Sequence, residues 1–203
     1  MIDLIDPDRV FALSHVPAGD RGAVAAVWAL DEQLGQIVAS TTQPMVGQMR
    51  LLWWREALGK RLSGHPVLAE LALAFDRGVE ADALGRMIDG WEELLEPLPL
   101  DEAQLSAFAK ARGEQLFALT ARICGVTSTP EAGAGWALAD FGFRCSDEVT
   151  SARALAMAGR ILPDVNIKTL PRPLRILVRL ASVDVECGKR KARTPWKLLR
   201  SVA

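Results

Sequence analysis

Apolar residues recur every three or four positions along nearly the whole chain, and proline or glycine interrupts this pattern at short intervals. A period of this length is typical of amphipathic α-helices. The alternation of β-branched and aromatic residues that indicates strands occurs nowhere, and alanine and leucine dominate instead. The sequence therefore predicts an all-α bundle of about eight helices with short loops, forming a single domain over residues 1–203.

Composition and charge argue against several classes of function. Half of the 203 residues are hydrophobic and the net charge is −1, a balance that is typical of one globular core and argues against nucleic-acid binding. No apolar run approaches the ~18 residues that span a bilayer, and the acidic N-terminus does not resemble a secretory signal. We therefore expect a cytoplasmic protein. Its three scattered cysteines and two isolated histidines predict no metal site.

Two consecutive segments carry the most specific signal, AVWALDEQLGQIV at 26–38 and GQMRLLWWREAL at 47–58. Together they resemble the squalene/phytoene synthase family, in particular a divergent branch related to a mitochondrial assembly factor of respiratory complex I. The resemblance continues through residues 65–71, 87–126 and 170–181. It implies an isoprenoid (terpenoid) synthase-like helical bundle, shortened relative to the family.

The resemblance also implies a metal chemistry that this sequence does not support. Active members join two prenyl diphosphates head to head, and two aspartate-rich motifs hold the magnesium ions that neutralise the leaving diphosphate. When the family's aromatic-Ala-Phe is aligned on residues 28–30, the first motif falls on Gly35, Gln36 and Ala39. None of these residues is acidic, so we expect a degenerate first motif without catalytic or metal-binding residues.

The second motif is expected near residues 136–150, where no Asp-x-x-x-Asp occurs. Asp140 and Asp147 are the residual acids of this region, and their spacing of seven residues allows them to share a helix face. Asp147 is also well placed to cap a helix. If relocated carboxylates hold magnesium, these two and the earlier pair Asp31 and Glu32 are the candidate ligands.

The helix predicted to begin at Pro44 offers further candidates. Arg50 and Arg55 carry the chemistry that binds a phosphate or a lipid headgroup, with ion pairs to neighbouring side chains as the alternative. Met45 and Met49 lie on one apolar face and are predicted to belong to the core.

The C-terminal segment combines basic and apolar residues, as do segments that contact anionic membranes. A solvated charge run is the alternative. The candidate membrane-contact residues are Lys189, Arg190, Lys191, Arg193 and Trp196.

Three functions remain open at this point. The leading hypothesis is a catalytically inactive family member without a cofactor, which has an assembly or accessory role with a protein partner in respiratory complexes or at the inner face of the cytoplasmic membrane. The first alternative is an active, magnesium-dependent prenyl diphosphate transferase of the phytoene or squalene synthase type. The second is a peripheral membrane protein that binds an isoprenoid or a lipid. The choice cannot follow from fold class alone.

Overall fold

The computed structural model describes residues 3–126 and 131–191, and within these ranges the secondary structure is helical. The helices are α1 (Pro7–Leu13), α2 (Ala18–Ala39), α3 (Pro44–Gly59), α4 (Pro66–Glu70), α5 (Ala72–Phe75), α6 (Ala81–Glu93), α7 (Glu102–Phe108), α8 (Gln115–Ile123), α9 (Glu131–Gly142), α10 (Glu148–Ile161) and α11 (Arg172–Glu186). A π-helical segment (Ala109–Glu114) joins α7 to α8, and two 3-10 turns (Leu162–Asp164 and Ile167–Thr169) lie between α10 and α11. Counting α4–α5 and α7–α8 as continuous, these residues form nine helices, which confirms the predicted all-α class.

Several helices begin where capping chemistry predicts. Asp101 and Gln104 form a reciprocal capping box at the start of α7. The carboxylate of Asp147 accepts the backbone N–H of Thr150 at the start of α10. Pro44 occupies the first turn of α3, where its missing N–H has no helical partner to lose.

Helix α2 contacts α1, α3, α4, α5, α6 and α8, and it buries an unbroken run of side chains over residues 23–31. Around it, α9 packs against the π-helical segment, α10 and α11. The backbones of the π-helical segment and α9 touch at Gly113 and Gly133, where a Cβ on Gly113 would lie 2.2 Å from the carbonyl oxygen of Gly133. Only glycine allows this approach. It brings the π-helical segment directly against α9.

The prediction that Met45 and Met49 belong to the core is wrong. Met45, Met49 and Leu52 are 72%, 66% and 51% exposed, and the helix instead buries Leu51 and Trp54. Apolar side chains occur on several faces of α3, so the spacing of apolar residues in the sequence did not determine which face packs against the core. A stripe of apolar side chains therefore remains on the surface. Among the described residues, no helix is both long and apolar enough to cross a membrane.

Candidate functional site

The positions aligned with the first aspartate-rich motif lie on the second half of α2. A Cβ on Gly35 would lie 2.8 Å from Cη2 of Trp91, so the indole ring occupies the space that a side chain at this position needs. Gln36 and Ala39 are exposed. Glycine at position 35 therefore makes room for Trp91, and it also leaves this position without a carboxylate.

Asp31, one turn before Gly35, is the buried acid of α2. Its Oδ1 accepts hydrogen bonds from Trp91 Nε1 at 2.8 Å and from Arg112 Nε at 3.0 Å. Its Oδ2 accepts from Arg112 Nη2 at 3.0 Å and from Arg9 Nη2. Arg112 Nε also lies 3.3 Å from Oδ2, so each carboxylate oxygen has at least two donors.

Asp140, on α9, also accepts a hydrogen bond from Arg112. Arg112 Nη2 donates to Asp140 Oδ2 at 2.7 Å, and Arg144 Nε donates to Asp140 Oδ1 at 2.9 Å. Arg190 Nη1 lies 3.6 Å from the same Oδ1. One guanidinium nitrogen of Arg112 thus lies between the carboxylates of Asp31 and Asp140.

The cluster continues to the surface through the N-terminus of α1. Arg144 donates to the carboxylate of Asp6, as does Arg190 Nη2 at 2.6 Å. Glu32 accepts the backbone N–H groups of Ile5 at 2.8 Å and of Asp6 at 3.1 Å. These contacts join the start of α1, the middle of α2, the end of α9 and the residues that follow α11.

Burial opposes the ionisation of Asp31 and Asp140, because a charge is poorly solvated in the interior. The neighbouring guanidinium groups of Arg112, Arg9 and Arg144 outweigh this effect and lower the pKa of both carboxyls. Burial likewise opposes the charge of Arg112, yet the two carboxylates raise its pKa. At neutral pH Asp31, Arg112 and Asp140 are therefore ionised at the centre of the cluster.

Arg112 belongs to the π-helical segment, and aromatic rings enclose it. Its guanidinium carbon lies 4.4 Å from the ring centroid of Trp91, 4.9 Å from that of Trp136 and 5.5 Å from that of Phe108. These distances are within the range of cation–π attraction. The same rings cover Arg112, which is 1% exposed.

The interior leaves little free space beside this network. A cavity of about 20 Å³ borders the cluster, with Asp8, Trp136, Leu177 and Arg190 among its lining residues. Such a volume has room for about one water molecule.

A family model described as squalene/phytoene synthase matches residues 4–162 of the chain. The chain belongs to the squalene/phytoene synthase family. The nine-helix arrangement of the described residues is accordingly an isoprenoid synthase-like fold. Comparison with curated proteins and with solved structures finds no match.

Within this squalene/phytoene synthase fold, the two candidate phosphate-binding arginines of α3 have partners on the surface. Arg50 donates to the hydroxyl of Ser40 at 3.2 Å. Arg55 pairs with Asp89 of α6 at 2.5 Å and approaches Glu92 at 3.5 Å. Phosphate or lipid-headgroup binding by Arg50 and Arg55 stays a prediction.

The two residual acids near the expected second motif do not share a helix face. Asp140 lies on α9, which ends at Gly142, whereas Asp147 precedes a new helix that begins at Glu148. The shared face that their spacing allowed does not form, because the chain breaks between them. The hydrogen bond from Thr150 lowers the pKa of Asp147, as expected for a helix cap. In the described ranges, no group of three or more His, Cys, Asp or Glu residues is arranged to hold a metal ion.

The candidate membrane-contact residues divide into two groups. Lys189 and Lys191 are exposed, whereas Arg190 is partly buried and pairs with the ionised cluster. Arg193 and Trp196 lie outside the described residues. Membrane contact through this segment stays a prediction.

Sequence reasoning missed the central residue of the cluster, Arg112. Its signal was an arginine in register with the apolar face that runs through Leu105, Phe108 and Leu116. A charged residue on a core-facing stripe indicates a buried partner, because an unpaired buried charge is costly. Asp31 is likewise a charged residue within an apolar stretch, on α2, and indicates a buried partner for the same reason.

Proposed function

We propose that this chain is a non-catalytic member of the squalene/phytoene synthase family with an assembly or accessory role. The observation that carries the proposal is the position of Arg112 Nη2, 3.0 Å from Asp31 and 2.7 Å from Asp140. The buried carboxylates of α2 and α9 therefore have a guanidinium as their shared cation.

The hydrogen bonding of Asp31 supports this proposal. An ionised carboxylate offers about four lone-pair positions, and Arg9, Arg112 and Trp91 together supply four donors. A magnesium ion requires oxygen ligands at about 2.0–2.1 Å in octahedral geometry. It would have to displace at least one of these buried donors, and a displaced guanidinium would remain buried without its partner.

The size of the interior cavity is a second line of support. Sites for ligands of drug size usually enclose about 300–1,000 Å³, whereas the cavity beside the cluster holds about 20 Å³. Two prenyl chains require space of the larger kind. The same comparison disfavours an isoprenoid or lipid bound in the cavity beside the cluster.

The accessory role rests on the resemblance of residues 26–38 and 47–58 to the branch related to a complex I assembly factor. A protein partner, at the inner face of the cytoplasmic membrane, is the expected binding target. Co-purification of the tagged chain from native membranes tests this part of the proposal. We expect a respiratory-complex subunit or assembly intermediate to co-elute at a constant ratio, and recovery of lipid without protein would contradict the role.

The absence of catalysis is tested separately. We expect the purified chain, incubated with magnesium and farnesyl or geranylgeranyl diphosphate, to form no head-to-head product, and calorimetric titration with magnesium to give no binding heat. Product formation that is lost in Asp140→Asn but retained in Asp147→Asn would establish the active-enzyme alternative. The second variant is the matched control, because Asp147 caps a helix outside the cluster. Circular dichroism shows whether both variants remain folded.

A further inference from the structure

An open groove of about 500 Å³ lies between α3 and α6, and we call it the α3–α6 groove. Met45, Met49 and Leu52 line its α3 side at a spacing of i, i+4 and i+7, which places them in one stripe. The stripe extends about 10 Å along the helix, and each of its side chains is more than half exposed. Methionine-rich grooves of this kind are suited to binding an amphipathic helix.

The α6 side of the groove is acidic. Asp89, Glu92, Glu93 and Glu96 line it, and Arg55 pairs with the first two. Glu93 and Glu96 form no ion pair with another described residue. Burial, together with the charges of Asp89 and Glu93, raises the pKa of Glu92 despite the attraction of Arg55. An occupant that carries positive charge next to apolar side chains fits this surface.

The chain itself contains a segment of that chemistry. Residues 192–203 contain three basic residues and no acidic residue. Trp196 and Leu199 are three positions apart, and Lys197 and Arg200 have the same spacing. In a helical pattern this places an apolar stripe beside a basic stripe, as the groove places its apolar stripe beside an acidic one.

The described chain ends beside residues that connect through the core to α6. Arg190 lies 3.6 Å from Asp140 on α9. The adjacent ring of Phe141 is 5.2 Å from that of Phe108, which is 5.8 Å from that of Trp91 on α6. Two ring contacts thus connect α9, which Arg190 contacts, to α6, which forms the acidic side of the α3–α6 groove. When extended, the five residues from Lys191 to Trp196 span at most about 18 Å, and residues 192–203 span at most about 40 Å.

We propose that residues 192–203 dock in the α3–α6 groove of the same chain. Trp196 and Leu199 cover the stripe of Met45, Met49 and Leu52, while the basic side chains lie against the acidic wall. The groove is then an intramolecular docking surface for the C-terminal segment. This inference is independent of the proposed function, because it requires no external partner and does not depend on whether the chain is catalytic.

Disulfide trapping in the full-length chain tests the docking directly. Met49→Cys and Leu199→Cys are introduced together, and Cys187→Ser removes the exposed native thiol. In the matched control, Leu73→Cys on α5, also exposed and outside the groove, replaces the cysteine at Met49. Under mild oxidation we expect the intrachain Met49–Leu199 linkage to form at least about tenfold faster than the control linkage, because docking raises the local thiol concentration. Peptide mass spectrometry identifies each linkage.

Charge reversal tests the electrostatic half of the proposal. Glu93→Lys with Glu96→Lys is expected to slow the Met49–Leu199 linkage several-fold, and high salt is expected to do the same. Asp82→Lys, at the exposed start of α6 and outside the groove, is the control and should leave the rate unchanged.

Three results would overturn the proposal. Equal linkage rates for the groove and control pairs would place the segment elsewhere. Linkage between chains that increases with protein concentration would assign the groove to a second copy. A linkage rate insensitive to charge reversal would remove charge complementarity as its basis.

Discussion

Replacing Arg112 with methionine removes the cation shared by two buried carboxylates. Removal of one partner from a buried ion pair typically destabilises a protein by about 3–5 kcal/mol, because it leaves an uncompensated charge. Arg9 continues to pair with Asp31, and Arg144 with Asp140, which limits the loss. The variant also forfeits cation–π attraction worth about 0.5–2 kcal/mol. We therefore expect the free energy of unfolding to fall by about 3–5 kcal/mol.

Urea unfolding followed by helical circular dichroism measures this change. Arg160→Met is the matched control, because Arg160 and its partner Glu102 are 62% and 60% exposed, and an exposed pair contributes at most about 1 kcal/mol. If Arg112→Met costs no more than this control, the assignment of a stabilising role to the cluster is wrong. A double-mutant cycle of Arg112→Met with Asp140→Asn then isolates the pair, and we expect a coupling of at least about 1 kcal/mol.

Three further predictions concern packing, pH and capping. Gly35→Asp should lower the free energy of unfolding in urea by about 1–3 kcal/mol, because its side chain forces the Trp91 ring to move. Gln36→Asp on the exposed face should change it by no more than about 0.5 kcal/mol, and equal effects of the two substitutions would refute the claim that Trp91 requires glycine at position 35. The pKa of Asp140 is lowered on folding from a usual value of 3.8, so its stabilisation is complete above that value and is lost as protons bind below it. Scanning calorimetry should show a melting temperature that falls between about pH 5 and pH 3, with a smaller fall in Asp140→Asn. Asp147→Ala should lower the melting temperature by removing the α10 cap and Asp147→Ser should restore much of it, and no recovery would argue against capping.

The helical architecture was predictable because its signals are local. The capping box of Asp101 and Gln104 and the stop between α9 and α10 depend on residues only a few positions apart. The inward face of α3 was not predictable, since Met45 and Leu51 are both apolar, yet Met45 is exposed and Leu51 is buried.

The candidate site was predictable only in part. That Gly35 cannot bind a metal follows from its identity. The reason glycine is needed there follows from Trp91, which approaches it only in the folded chain. Asp31 appeared in the sequence as a possible metal ligand, but its principal partner, Arg112, lies 81 residues away. An ion pair between residues far apart in the sequence leaves no local pattern, so Asp31 could be identified from the sequence but its pairing with Arg112 could not.

The guanidinium of Arg112 determines what the carboxylates of Asp31 and Asp140 can do. A bound magnesium ion dissociates and keeps coordination positions open to a diphosphate. A guanidinium is covalently part of the chain, fixes its donors in one plane and offers no open coordination position. Because the ring faces of Trp91, Trp136 and Phe108 hold Arg112 in place, the charge that links α2 to α9 is present without any ligand. This link between the two helices requires no bound ion, which agrees with the proposed non-catalytic role.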